Sequence, residues 1–350
     1  MNVTAKEIAE MLKLSPSSVS LALNDKPGVS EETRKRVMDK AAELGYRVAA
    51  APKAAKLPAS VRFIIYTNGL NVVKEISFHS IILRGVEAMA KELGYNVLVS
   101  YFDHQKAGAD QIAALGQDVE GVLILGTELG APEAGCAAIL NNLKCHVVVV
   151  DNNLMRDNVD CIVTDNLGGA YQAISYLRRL GHTRIGYLCS RQRIPNFDER
   201  GAGVDLAARR HPDVVVERIP VSFSTSKAYR EVDEWLQKRK DVPTAFFADS
   251  DIIAFGAMQA FDRSGLRVPG DVSIVGFDDM PACEMVSPQL TSVRVMKTQT
   301  GRLAMQILHE RITGERKSAY DGINVHIAVS TCIKERNSAA PLAPAEGEAR

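Results

Sequence analysis

At 350 residues with 46% hydrophobic content, the chain can bury a sizeable core and divide into more than one domain, which excludes a disordered protein and a small disulfide-held fold. Its 42 Lys and Arg balance 42 Asp and Glu, which also excludes a uniformly basic nucleic-acid coat or membrane-surface protein. No apolar run approaches the ~18 residues of a membrane helix and the start, Met1-Asn2-Val3-Thr4, is polar, so a cytoplasmic protein with no membrane partner is expected.

In chain order, Thr4-Ala5-Lys6-Glu7 has capping-box spacing, and Ala5, Ile8, Ala9 and Leu12 follow at i, i+3, i+4, i+7 on one helix face. Only Lys13 and Leu14 separate this helix from a second start at Ser15-Pro16. Ser30 with Glu31 and Glu32 opens a third helix, whose Val37, Ala41 and Leu44 face inward before Gly45 ends it. Two short helices in so tight a turn, with a third packed on them, predict an all-α helix-turn-helix head over residues 1–47. A three-helix bundle for protein contacts would carry the same pattern.

With Val19 and Leu23 inward, Pro16, Ser17 and Leu21 fall outward near the start of the second helix, where base edges would be read. Thr4, Ser15, Ser20, Asn24 and Ser30 supply short hydroxyl or amide groups suited to phosphate oxygens. Residues 1–57 hold ten Lys and Arg against seven Asp and Glu, net +3, so the remainder is net −3. Overall neutrality therefore conceals a basic head.

Residues 48–60 are rich in Ala, Pro and Lys and read as a linker. From Val61 to residue 337, apolar runs alternate with amphipathic helices. Candidate strands are 61–66, 96–100, 121–125 and 146–150, then 184–188, 214–216, 244–247 and 272–275, with helices such as Ser80 to Leu93 and Leu167 to Leu180 between them. Continuous apolar strands bracketed by helices predict parallel sheets covered on both faces, here an α/β body of two doubly wound subdomains. In such folds ligands sit beyond the carboxyl ends of the strands. Residues 338–350, rich in Ala, Pro and Glu, read as a disordered tail.

Six scattered cysteines (Cys136, Cys145, Cys161, Cys189, Cys283, Cys332) form no C-x-x-C, and no His stands at ligand spacing, so mostly buried reduced thiols and no metal site are expected. Gly201-Ala202-Gly203 begins a dinucleotide fingerprint, but its final glycine is replaced and Arg191 to Arg200 intervenes after the preceding strand. With no phosphate-binding loop and no G-x-S-x-G nucleophile turn, neither an enzyme nor a cofactor is expected.

The run Val3-Thr4-Ala5-Lys6-Glu7-Ile8-Ala9, then Ser15 to Asn24, Val29-Ser30-Glu31-Glu32-Thr33-Arg34 and Leu44-Gly45-Tyr46, resembles the DNA-binding domain of lactose-repressor (LacI/GalR) transcription regulators. The likeness continues through Gly85-Val86-Glu87, Gly94-Tyr95, Thr164-Asp165-Asn166, Gly181-His182, Ile185-Gly186, Ala248 to Gly256 and Val275-Gly276-Phe277-Asp278-Asp279, covering residues 2 to about 335. It implies a body of periplasmic-binding-protein type and a homodimer that places two heads on a palindromic operator in double-stranded DNA, most often to repress transcription. Positions that choose bases match Pro16, Ser17 and Leu21; Leu21, having no hydrogen-bonding group, implies contact with a thymine methyl.

In the family, a leucine in a hinge helix after the head wedges the minor groove. Its counterpart here is Ala55, and Pro52 lies inside the would-be helix, so little central kinking is expected unless Leu57 takes the role by a shifted register. Lys53 and Lys56 remain placed for minor-groove contacts. The resemblance also implies a small-molecule effector, a sugar or sugar derivative, held between the subdomains by Phe78, His79, Thr127, Asp151, Arg200, Phe223, Asp251 and Asp278. Asp251 can equally cap the helix that begins with Ile252. Val295 stands where relatives often carry a polar ligand contact. The tail, with Pro341 and Pro344, lacks the leucine repeat by which some relatives form tetramers.

Overall fold

Thr4 opens the first helix, α1 (Ala5–Leu12), through a reciprocal cap: its hydroxyl accepts the Glu7 N–H at 3.3 Å and the Glu7 carboxylate accepts the Thr4 N–H at 2.7 Å. The computed structural model describes residues 4–23, 28–44, 46, 59–75, 78–106, 111, 114–130, 140, 143–154, 159–314 and 323–342. Asn24, Pro52, Lys53, Ala55, Lys56 and Leu57 lie outside them.

Lys13 adopts a left-handed conformation (φ 55°) that ends α1 and aims the chain into α2 (Pro16–Leu23). The Ser15 hydroxyl accepts the Ser18 N–H at 3.0 Å, and Ser30 caps α3 (Glu31–Glu43) by accepting the Thr33 N–H at 3.2 Å. Ile8, Ala9, Val19, Ala22, Leu23, Val37 and Ala41 form the head's own core, with Tyr46 packed against it. Each helix buries one face, which is what lets so short a unit hold together.

The chain divides into two compact units, Met1–Pro58 and Ala59–Arg350. In the second unit the elements run β1 (Ser60–Thr67), α4 (Val72–Glu75), α5 (Phe78–Leu93), β2 (Asn96–Asp103), β3 (Gly121–Leu125), β4 (His146–Val150), β5 (Asp160–Thr164) and α6 (Asn166–Arg179). They continue with β6 (Arg184–Ser190), α7 (Pro195–Arg210), β7 (Val215–Val221), α8 (Thr225–Gln237), β8 (Ala245–Ala248), α9 (Asp251–Arg263) and β9 (Ser273–Asp278). Last come β10 (Thr291–Arg294), α10 (Lys297–Thr313), β11 (His326–Val329) and β12 (Cys332–Lys334).

Two six-stranded sheets result, β11-β5-β4-β3-β1-β2 in the first lobe and β12-β10-β9-β8-β6-β7 in the second. Every pairing is parallel except β10 with β12. β3, β5, β8 and β9 are buried at every residue, the consequence of helices on both faces. β5, β10, β11 and β12 had no counterpart among the strands expected from apolar runs; each is short, and a polar residue at one end (Asp160, Arg294, His326 and Lys334) shortens its apolar run further. The chain crosses between lobes three times, at β5 to α6, at β10 to α10 and at β11 to β12, because α10 packs on α5 of the first lobe.

Residues 338–342, expected to open a disordered tail, are instead held in the fold. The Ser338 hydroxyl accepts the Thr291 N–H at 2.8 Å and donates to Ile274 O at 2.6 Å, while Leu342 N–H donates to Leu180 O at 2.7 Å. Residues 338–342 thus strap the second sheet. His182 lies 3.0 Å from the Thr244 hydroxyl and 3.1 Å from both the Ser273 hydroxyl and the Ala340 backbone carbonyl. Of the five described cysteines, only Cys161 and Cys283 are buried; Cys332 is exposed.

Candidate functional site

The carboxyl ends of the parallel strands from both lobes converge on one cleft. Around it stand Val72, Phe78, Thr127, Asp151 and Thr164 from the first lobe, and Ile194, Asn196, Phe197, Arg200 and Asp278 from the second, with Val295 on a crossover. The space left between these side chains is about 10 Å³, roughly one water molecule. Ligand entry therefore requires the lobes or side chains to part. A larger groove of about 600 Å³ lies on the second lobe between α9 and residues 286–288, lined by Phe255, Met258, Gln259, Asp262, Arg267 and Val268 among others, away from the strand ends at which the two lobes meet.

Arg200, on α7, organises the cleft. Its Nε donates to Asn166 Oδ1 at 3.0 Å, Nη2 to Asp278 Oδ1 at 3.2 Å and Nη1 to the backbone carbonyl of Asp249. The guanidinium also lies 3.7 Å from the Phe277 ring centre and 5.4 Å from that of Phe197. Ser250 donates its hydroxyl to Asp278 Oδ2 at 2.9 Å. Asp278 (φ 109°) and Asp279 (φ 50°) are both left-handed, a conformation costly for residues with a Cβ, so the surroundings must hold it. The Lys297 ammonium donates to both their carbonyls, and Arg294 and Arg336 pair with the Asp279 carboxylate at 2.6 and 2.7 Å.

Across the cleft, Asp151 (φ 63°) accepts the Thr127 hydroxyl at 2.6 Å and bonds the Asn196 side chain of the other lobe. Glu199 likewise bonds Asn153 of the first lobe and Asn166 at the crossover. Burial pushes the Asp151 carboxyl up to about 7, against the Thr127 hydrogen bond and the Arg200 charge. Its ordinary value is 3.8, so between about pH 4 and 7 the folded chain keeps a proton that the unfolded chain releases, and stability is lost as pH rises through that window. Asp151→Asn cannot ionise, and Asn tolerates the left-handed backbone. This variant is expected to match wild type near pH 4 and to exceed it increasingly toward pH 7, the gap growing by up to about 1.4 kcal/mol for each step of one in pH. Thermal melts across pH read the widening gap; a constant gap would contradict it.

Five of the eight expected effector residues meet in the cleft: Phe78, Thr127, Asp151, Arg200 and Asp278. Three do not line it. Phe223 is buried behind Phe197, with ring centres 5.3 Å apart. His79, half-buried on the first turn of α5, is not among the lining residues. Asp251 is turned inward, accepting Met280 N–H at 2.7 Å and the Ser292 hydroxyl at 2.6 Å, and the cap of its helix is Ser250 rather than Asp251. Asn196, Phe197, Ile194, Val72 and Thr164 were missed, since nothing local distinguishes them from ordinary helix starts and strand ends.

In the head, Pro16, Ser17 and Ser20 are exposed and Leu21 is half-buried. The oxygens of Thr4, Ser15 and Ser30 accept their helix-capping N–H groups. The Thr4 hydroxyl also donates to Glu7 Oε2 at 3.0 Å, Ser15 Oγ lies 2.8 Å from both Ser17 and Ser18 Oγ, and Ser30 Oγ lies 2.9 Å from Thr33 Oγ1, so a phosphate oxygen would take the place of one of these bonds. Arg34, unremarked in the sequence, places Nη1 3.5 and 3.4 Å from the carbonyls of Leu21 and Ala22, tying α3 to the end of α2.

Residues 4–48 match the family described as "Bacterial regulatory proteins, lacI family", and residues 174–338 match "Periplasmic binding protein-like domain". The HTH-type transcriptional repressor CytR of Escherichia coli (strain K12) is 32% identical over 324 residues, 89% of this chain and 90% of that protein. The HTH-type transcriptional regulator GalR of Streptococcus thermophilus is 29% identical over 90% of this chain and 94% of that protein. A solved transcriptional regulator CelR–cellobiose complex superposes with a TM-score of 0.68 at 25% identity, covering 96% of this chain and all of that one. Because the CytR match runs through head and body alike, the chain belongs to the LacI family, and is a DNA-binding transcription regulator rather than an enzyme.

Proposed function

We propose that this regulator is a cytoplasmic repressor that acts as a homodimer on a palindromic operator, and that a carbohydrate or carbohydrate derivative bound in the cleft controls it. Supporting this division of labour are the two compact units and the basic balance of residues 1–57. The reading rests most heavily on Arg200, which joins the first crossover at Asn166 to the strand ends at Asp249 and Asp278 in one buried cluster facing Asp151. A ligand that parts the two carboxylates or bridges them acts on both lobes and on the crossover together. It can shift an equilibrium between lobe arrangements only if the two arrangements bind operator differently. Relatives are named as repressors, and the similar solved structures include a cellobiose complex and a regulator with bound ribose.

In the head, α2 is the proposed reader, with Pro16, Ser17 and Leu21 at base edges. Thr4, Ser15, Ser20, Asn24 and Ser30 would meet phosphates, and Lys53 and Lys56 the minor groove. Edge strand β2 supports a homodimer, since Leu98, Val99 and Tyr101 stand uncovered on it, Tyr101 at 75% exposure. Operator selection from a random duplex library tests the reader: Leu21→Ala is expected to lose preference at one position of each half-site, a change of roughly 1 kcal/mol or more per position. Unchanged selection would remove Leu21 from the base-reading set.

A further inference from the structure

We propose that the effector is an uncharged or cationic small molecule rich in hydrogen-bond donors, and that phosphorylated or carboxylated ligands are excluded from the cleft. This rests on the cleft being the effector site. Among the described lining residues the only full cation is Arg200, and its guanidinium is already committed on three sides, to Asn166, Asp249 and Asp278. Two carboxylates, Asp151 and Asp278, face it. Of the cations close in sequence to the lining, Lys297 turns its ammonium to the main-chain carbonyls of Asp278 and Asp279, and Arg193 pairs with Asp198 at 2.6 Å. Behind the lining stand the buried carboxyls of Asp249 and Glu128. An entering anion would meet a surplus of negative charge without a free cation to answer it, whereas hydroxyl or amine donors find acceptors in both aspartates.

The second source of anion affinity in such folds, exposed N–H groups at helix starts, is taken up at three of the helices near the lining. The start of α4 is taken by the chain itself, since Glu128 accepts the Val73 N–H at 3.0 Å, and α6 is capped by Asp165 through the Gly168 N–H at 2.8 Å. α7 begins with Pro195, which has no N–H, and the next turn's Phe197 and Asp198 N–H groups already bond Ile194 O. Burial pushes the Asp151 carboxyl up to about 7, so its share of the negative charge is in place above that pH and fades below it, and the discrimination against anions weakens accordingly in acid.

Matched pairs test the proposal on the full-length protein by thermal shift and titration calorimetry: ribose with ribose 5-phosphate, glucose with glucose 6-phosphate, adenosine with its 5′-monophosphate, and glucosamine as the cationic member. Binding is expected only from unphosphorylated members, with each phosphorylated partner weaker by about 100-fold or more. A phosphorylated member that binds as tightly as its neutral partner overturns this inference and leaves the effector reading standing; silence from every member counts against the effector reading itself, and this inference falls with it. Asp151→Asn is expected to narrow any measured neutral-to-phosphate ratio by about tenfold. Val295→Lys, which adds a cation to the lining without touching either carboxylate, should move the same ratio in the same direction. If neither variant moves it, the carboxylates are not the source of the selectivity.

Discussion

Replacing Arg200 with methionine is expected to cost about 3–5 kcal/mol of stability and to abolish the response of operator binding to effector. The residue is 5% exposed, as is Asp278, so truncation leaves a carboxylate in the interior with only the Ser250 hydroxyl on its side chain. It also strips the donors from Asn166 Oδ1 and the Asp249 carbonyl. Methionine restores much of the contact with Phe197 and Phe277 but none of the charge. Removing both charges should be milder than removing one: Arg200→Met with Asp278→Asn is expected to recover part of the loss in urea unfolding. A single variant as stable as wild type, whose operator affinity still changes on effector addition, would show that the cluster neither holds the cleft nor couples it to the head.

The second large effect is expected at Gly301. α5 and α10 approach so closely that a Cβ on Gly301 would lie 2.1 Å from Ile82 O and 3.0 Å from Val86 N, and one on Gly85 would lie 2.2 Å from Thr298 O. The opposing atoms are backbone, so relief requires the helices to separate rather than a side chain to turn. Gly301→Val should therefore cost about 3 kcal/mol or more, at the upper end of overpacking. Because α10 starts at Lys297, whose ammonium holds the Asp278–Asp279 turn, the shift should reach the cleft too. Chemical unfolding gives the stability, and calorimetry with a bound neutral ligand gives the affinity. Wild-type values for both would mean the interface relaxes locally.

The glycines show how unequally sequence signals translate. Gly203 belongs to what reads as a broken dinucleotide fingerprint, yet it lies in α7 where a Cβ would come 2.2 Å from Leu167 O of α6. Its absent side chain serves helix packing. Asp251 shows the converse: the resemblance offered it as a cleft residue, with helix capping an equal alternative, while its oxygens fasten Met280 and Ser292 from within. Phe223 and Phe197 are both buried aromatics near the cleft, and only their packing order decides that Phe197 meets the cavity.

By itself the sequence determined what is local. The caps at Thr4, Ser15 and Ser30, the buried faces of α1 to α3, the apolar runs of β1, β3, β4 and β6, and the basic head within a neutral chain all follow from neighbours a few residues apart, where capping and periodicity act. Tertiary structure alone decided what depends on distant segments meeting. β11 joins the first sheet beside β5 after the chain has built nearly all of the second, Ser338 returns to bond β9, and Arg200 finds Asn166, Asp249 and Asp278, which stand 34, 49 and 78 residues away. A buried charge goes where its partners are, because leaving it unpaired costs more than any local preference returns, and those partners are set by the folded sheets rather than by the neighbouring chain.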